Sequence, residues 1–236
     1  MRTFIRRLGA LSLLMAFGLA LVACGNKEAE QRKAFTAFLQ TRVLDKPGLR
    51  VPMPTEEEKA SFGDYAKHYA VITDFNEGMN KSVSQPMTQI MAKGALRSIA
   101  DLTSRRDDLK AAKDGLNGLR SALDQQTAKA DAAHAQLKQP DDLKPVYDKA
   151  FDKTVTAPAG TFKEVFPALD TVFDSALAIG DFLEKNKSKI QVSGTTVTVA
   201  DPAVQAELNK MLQQLNGQSA AINAAQRKMQ AMVQGS

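Results

Sequence analysis

The chain has 236 residues, enough for one sizeable hydrophobic core, and 44% of them are hydrophobic. Its formal net charge is +5, but residues 1–23 hold three of the 31 basic residues and no acidic one, so the remainder carries only +2. A positive field this weak argues against nucleic-acid binding, and an aromatic content of 6% without tryptophan disfavours a carbohydrate-stacking site.

The amino terminus has the pattern of a secretory signal. Arg2, Arg6 and Arg7 precede an uncharged apolar run over residues 8–22, which is shorter than the roughly 20 residues of a membrane-spanning helix. The run ends in Leu-Val-Ala followed by Cys24, the only cysteine of the chain, and this matches the lipobox of bacterial lipoproteins. We therefore predict cleavage between Ala23 and Cys24 and lipidation of Cys24; the alternative is an uncleaved anchor with an incidental cysteine.

The residue after the lipobox cysteine predicts where the protein is sorted. Gram-negative lipoproteins with aspartate at that position tend to stay in the inner membrane, whereas this chain has Gly25. We expect an outer-membrane lipoprotein that carries fatty acyl groups such as palmitate and faces the periplasm. With Cys24 modified, no disulfide can form, so the exported domain must be stabilised by core packing.

Beyond a lipidated tether at residues 24–30, we predict one all-α domain over residues 31–236, an elongated antiparallel helical bundle with a single hairpin. Apolar stripes at helical spacing run through residues 34–43, 62–79 and 87–99. Thr55 and Glu58 form a capping box, and Pro86 is expected to break or kink the helix after it. Residues 146–155 predict a further helix, which residues 157–160 separate from the most apolar one, over 162–183, expected at the centre of the bundle.

Two rows of apolar residues repeat every seven positions and indicate long, coiled-coil-like helices. The first runs from Leu102 to Leu137 and the second from Leu208 to Met229. We interpret the first seam as internal core in preference to an intermolecular coiled coil, and we expect the second to pack against it. Between them, residues 190–199 alternate in polarity and predict a hairpin that pairs Val192 with Val197 around a Gly194-Thr195 turn.

The sequence shows no pattern of a catalytic, metal or cofactor site, so we expect no enzyme and no cofactor. His68 and His134 lie in different predicted helices without partners at ligand spacing, and boundary positions are favoured for both. The acidic pairs at 107–108 and 141–142 are typical of solvated faces or caps. The arginine pair at 105–106 could contact phosphate, but the neighbouring acids cancel its field.

Residues 30–40, which begin Glu-Gln-Arg-Lys-Ala-Phe, and residues 130–146, which contain Asp-Asp-Leu-Lys-Pro-Val, are the most specific parts of a family resemblance that spans most of the mature chain. Through them the chain resembles the YiaF-like enterobacterial lipoprotein family, whose function is unknown. The resemblance implies an envelope lipoprotein in a Gram-negative cell and brings no catalytic residues.

We therefore predict a lipid-anchored envelope protein with a structural or interaction role, tied to the membrane through Cys24 and to a possible envelope protein partner. Two alternatives stay open: a periplasmic carrier of a lipid or apolar ligand, and an envelope hydrolase with an unrecognised site. The carrier hypothesis rests on the apolar helix at 162–183 and on flexible methionine side chains, which adapt to varied shapes. These methionines are Met79, Met87, Met91, Met211, Met229 and Met232.

Overall fold

The computed structural model describes residues 26–193 and 196–235, and it confirms an all-α fold with one small hairpin. Helix α1 covers residues 26–38. The other elements are α2 (Glu56–Phe62), α3 (Tyr65–Met79), α4 (Gln85–Gly94), α5 (Asp101–Ser104), α6 (Arg106–Ala135), α7 (Lys144–Phe151), α8 (Ala157–Lys163), α9 (Phe166–Lys185), β1 (Ile190–Ser193), β2 (Thr196–Val199) and α10 (Pro202–Gln234). Every residue of the described hydrophobic core lies between Phe35 and Leu208.

Helix α1 includes residues 26–30, which the sequence analysis assigned to the tether. It ends in a π-helical turn, Leu39–Leu44. The carbonyls at this end need donors, because the last turn of a helix leaves them without intrahelical partners. The Lys153 ammonium supplies them, donating to the backbone oxygens of Val43, Leu44 and Lys46 at 3.0, 3.1 and 2.5 Å. Lys153 thereby ties α1 to the segment between α7 and α8.

The predicted capping box at the start of α2 is present. The Thr55 hydroxyl accepts from the Glu58 amide at 3.1 Å, and the Thr55 amide donates to the Glu58 carboxylate at 2.8 Å. The apolar stripe over residues 62–79 is buried as expected, but it is shared between two helices, because Gly63 adopts a positive φ of 56° and turns the chain between α2 and α3.

Pro86, which was expected to break or kink its helix, and Pro158, which lies in the segment expected to separate two helices, are each preceded by a π-helical turn, and neither ends the helical run. Asn80–Ser84 precedes Pro86 and joins α3 to α4, and Asp152–Thr156 precedes Pro158 and joins α7 to α8. A π turn widens the helix where the proline ring would clash with the preceding turn. The Thr154 carbonyl, which has no Pro158 N–H to accept from, lies 3.4 Å from the Asn76 amide nitrogen. The prediction that residues 157–160 separate two helices is therefore wrong, since they form the start of α8.

The helical period predicted over residues 87–99 is also wrong in its second half, because α4 ends at Gly94. A side chain at Gly94 would lie 2.7 Å from the Phe173 ring, so glycine permits the close approach of α9. Beyond it, the Asp101 carboxylate accepts from the backbone amides of Arg97 and Ser98 at 2.7 and 3.2 Å. These bonds turn the chain into the short helix α5.

Helix α6 is the axis of the bundle, and the predicted seam is buried from Leu102 to Ala130, with Leu116 and Leu123 fully inaccessible. The seam does not lie on one long helix as predicted, because Leu102 belongs to α5 and Leu137 follows the end of α6, where it is only partly buried. Helices α3, α4 and α9 cover it. The expectation that the last helix pairs with this seam is wrong: α10 packs antiparallel on α9, with the Gln218 amide donating to the Ser175 hydroxyl at 2.8 Å. Since α6 is already covered, the seam of α10 finds its partner in the sequence-adjacent apolar helix α9, which lies between α6 and α10.

The hairpin has the predicted register, with Val192 opposite Val197 and Ile190 opposite Val199. Its turn residues, Gly194 and Thr195, lie outside the described residues. Strand β2 contacts α10, which begins as predicted with Asp201 as its N-cap, accepting from the Ala203 amide at 2.9 Å.

Candidate functional site

Both histidines and all three tyrosines of the chain lie together at the end of the bundle where α1 begins. This tyrosine–histidine cluster consists of Tyr65, His68, Tyr69, His134 and Tyr147. The Tyr147 ring lies at its centre, with ring centroids 6.4 Å from His68 and 5.4 Å from His134. This proximity could not be predicted from the sequence, because it depends on the packing of α3, α6 and α7 and leaves no local pattern.

The tyrosine hydroxyls of the cluster act as structural donors. Tyr69 donates to the Pro52 carbonyl at 2.9 Å, Tyr147 donates to the His68 carbonyl at 2.7 Å, and Tyr65 donates to the Glu28 carboxylate. Burial, together with the Glu28 hydrogen bond, raises the pKa of Tyr65 to about 12. Burial also raises the pKa of Tyr69 and of Tyr147. All three phenols therefore stay protonated at neutral pH.

The two histidines have different environments. The His134 ring stacks on Phe151 with centroids 4.2 Å apart, and its Nε2 lies 2.9 Å from the Asp148 carboxylate. Burial opposes ionisation of Asp148, but hydrogen bonds from Lys144 and His134 outweigh it and lower the pKa of Asp148. Burial lowers the pKa of His68 against the opposing charge of Asp64. Asp148 is therefore ionised and His68 neutral at pH 7.

The cluster does not assemble a metal centre. Within residues 26–193 and 196–235, no group of three or more histidine, cysteine, aspartate or glutamate side chains is placed to hold a metal ion. The Nδ1 atom of His68 lies 3.2 Å from the Gln139 amide, and His134 pairs with a single carboxylate. The arrangement ties α3, α6 and α7 together.

The arginine pair considered for phosphate contact is engaged within the fold. Arg105 donates to the backbone oxygens of Lys93 at 2.5 Å and Ala95 at 2.6 Å, at the end of α4, and to the Asp108 carboxylate at 3.1 Å. Arg106 pairs with Asp181 of α9 at 2.7 Å. Both side chains therefore join helices of the bundle.

A second site is an apolar groove of about 180 Å³ between α4 and α10, which we call the methionine groove. It brings together three of the six methionines singled out in the sequence. Met79 is instead part of the buried core, while Met211 and Met232 lie elsewhere along α10. The residues that line the groove are Met87, Met91, Phe162, Val165, Leu169, Ile222, Ala225, Gln226 and Met229.

Ala23 and Cys24, the predicted cleavage and lipidation residues, lie outside the described residues. Helix α1 is described from residue 26 onward. Within the part of the chain that the structure describes, no helix has both the length and the apolar character needed to span a membrane.

Comparison with known proteins places the chain in a family. A family model described as "Protein of unknown function (DUF3053)" matches residues 10–230. The chain belongs to this family. It is 32% identical over 215 residues to "Uncharacterized protein YiaF" of Escherichia coli strain K12. The alignment covers 91% of this chain and 90% of the relative. The YiaF proteins of Escherichia coli O157:H7 and Shigella flexneri match with the same identity and coverage. The predicted YiaF-like membership is confirmed. No solved structure matches the chain.

Proposed function

We propose that the protein is a lipid-anchored component of the cell envelope with a structural or interaction role and no catalytic one. One observation carries the proposal: Cys24 follows an uncharged apolar run and precedes the described start of α1 by two residues. A lipid on Cys24 would therefore lie next to the first helix of the bundle. Several acyl chains give stable anchoring, which one chain does not.

The direction of the helices supports an orientation for the anchored protein. Helix α1 begins at the tyrosine–histidine cluster, where Tyr65 donates to Glu28 and Arg32 pairs with Asp142 at 3.4 Å. Helix α6 extends from Arg106, which pairs with Asp181, to this cluster. Its 30 residues span about 45 Å at a rise of 1.5 Å per residue. Anchoring through Cys24 would hold the cluster near the membrane and present the opposite end, with α5 and the hairpin, to the periplasm.

The contacts of the cluster favour a non-catalytic role over the hydrolase alternative. A histidine–carboxylate pair such as His134 and Asp148 can activate a side-chain nucleophile only if that nucleophile lies within hydrogen-bond reach. The hydroxyl of the neighbouring Tyr147 is buried and already donates to a backbone carbonyl. The His134 ring packs on Phe151. These polar groups stabilise the packing of α6 and α7.

The experiment is density-gradient fractionation of the full chain in a Gram-negative host. We expect the unmodified protein in outer-membrane vesicles, in accord with Gly25. The Cys24→Ala variant should lose processing and anchoring, and Gly25→Asp should move the protein to the inner membrane as a matched control. A Cys24→Ala protein that is processed and membrane-bound as before would contradict the anchoring proposal.

The interaction role needs its own test, because anchoring does not establish it. We expect in-cell crosslinking followed by mass spectrometry to return a specific envelope protein. Crosslinking without a specific partner, together with turnover of a peptidoglycan or lipid substrate by the purified protein, would overturn the interaction role in favour of the hydrolase.

A further inference from the structure

We propose that the methionine groove binds the single hydrocarbon chain of a fatty acid. Met87 and Met91 of α4 form one wall, and the Ile222–Met229 stretch of α10 forms the other. Phe162 and the first turn of α9 complete the lining. Helix α4 packs on α6 while α10 packs on α9, so the space between α4 and α10 is left open.

The walls of the groove are incompletely buried despite their apolar side chains. Helix α4 contributes no fully buried residue, and Met91 is 39% exposed. On α10, Ile222 and Met229 are only half-buried. Apolar surface left in water is unfavourable by about 25 cal/mol per Å². An apolar occupant would therefore stabilise both walls at once.

The chemistry of the lining selects a hydrocarbon over a peptide or a polar ligand. Gln226 is the only polar residue among the nine that line the groove, and none of the nine is charged. A peptide segment would bring backbone N–H and C=O groups that need hydrogen-bond partners when they leave water. A methylene chain has no such groups, and the flexible side chains of Met87, Met91 and Met229 can adapt to its shape.

The volume of the groove fits one hydrocarbon chain and not two. A cavity of about 150 Å³ lined by apolar residues can hold one benzene molecule, so a groove of about 180 Å³ suits a segment of one alkyl chain. A helix about 10 Å wide does not fit such a space. A diacyl lipid would leave its second chain in water, which favours a single-chain fatty acid. This site does not depend on the anchoring proposed above.

The test uses residues 26–236, which keep every residue of the described core. We expect dansyl-labelled undecanoic acid to bind saturably with one-to-one stoichiometry, and unlabelled dodecanoate to displace it. Among shorter competitors, affinity should rise by up to roughly fourfold per added methylene, as expected for hydrocarbon burial. Binding that does not saturate, or competition that is independent of chain length, would overturn the proposal.

Two substitutions locate the site. Met91→Asp places a carboxylate on the groove wall, where a bound chain would dehydrate it, and should weaken binding by roughly tenfold or more. Met53→Asp is the matched control, because Met53 is 68% exposed and lines a different surface groove. Its affinity should equal that of the unmodified protein.

A third substitution guards against a folding defect. Met91→Gln keeps the side-chain length and should weaken binding several-fold, with circular dichroism confirming unchanged helix content. The site would be contradicted if both Met91 variants bound the fatty acid as tightly as the unmodified protein does. It would also be contradicted if Met53→Asp weakened binding as much as Met91→Asp. Either result leaves the Cys24 fractionation experiment unaffected, so failure of this inference is distinguishable from failure of the anchoring proposal.

Discussion

The close approach of α5 to α9 predicts opposite outcomes for the same substitution at two glycines. Gly180 is buried in α9, and a methyl group there would lie 2.3 Å from the backbone oxygen of Leu102 in α5. Gly118 is exposed in the middle of α6, and a methyl group there meets no atom within 4 Å other than its sequence neighbours and the nearby backbone of its own helix. Both residues are in helices, so the intrinsic preference for alanine is common to the two sites.

The magnitudes follow from these contacts. Alanine in an exposed helix interior is favoured over glycine by roughly 0.5–1 kcal/mol, so Gly118→Ala should raise the free energy of unfolding by about that amount. At Gly180 the obstacle is a backbone carbonyl, so α5 and α9 must separate. Overpacking of this kind costs roughly 1–3 kcal/mol, which exceeds the gain in helix preference.

Thermal unfolding of residues 26–236, followed by circular dichroism, measures both effects. For a domain of this size, 1 kcal/mol corresponds to a shift in melting temperature of roughly 2–4 °C. We expect Gly118→Ala to melt higher and Gly180→Ala to melt lower than the unmodified protein. Equal increases for both variants would refute the close contact between α5 and α9.

Three further predictions concern the seam, the cluster and the arginine pair. Leu116→Asp places a charge on the fully buried seam and should cost several kcal/mol of unfolding free energy, whereas Asn117→Asp on the exposed face should leave the melting temperature unchanged. Burial lowers the pKa of His68, so the folded protein favours the neutral imidazole. The free energy of unfolding should therefore be highest above the usual histidine pKa and should decrease as the pH falls below it. In His68→Gln, denaturant titrations should show a smaller decrease at acidic pH. Arg105→Ala removes two hydrogen bonds to the backbone oxygens at the end of α4 and should lower the free energy of unfolding by about 1–3 kcal/mol. Arg106→Ala breaks a solvent-exposed ion pair and should lower it by less than about 1 kcal/mol. Denaturant titrations measure both values, and the reverse order would contradict these roles.

Local signals in the sequence predicted the helices and their caps well. The box at Thr55, the cap at Asp201 and the seam through Leu116 each depend on residues within a few positions of one another, and all are present. The effects of Pro86 and Pro158 were more difficult to predict, because whether a proline breaks a helix depends on the packing around it. At Pro158 the carbonyl that lacks a backbone donor lies 3.4 Å from the side-chain amide of Asn76 in α3, a residue far away in the sequence.

The candidate sites could not be predicted because they are products of long-range packing. Tyr147 lies 79 positions from His68 in the chain, and their contact requires α3 and α7 to meet. The methionine groove exists because α10 packs on α9 and leaves α4 uncovered, whereas the heptad pattern had indicated that α10 packs on α6. A heptad pattern identifies the face of a helix that is buried and does not identify its partner.

The central claim is that the helical domain is held at the membrane through Cys24, and intact-mass spectrometry of the protein purified from the envelope tests it most directly. The anchoring account predicts that the mature chain begins at Cys24 and carries a diacylglyceryl group on the sulfur, with an additional acyl group on the new amino terminus. A mature chain that begins elsewhere, or a Cys24 without added lipid, would contradict the account.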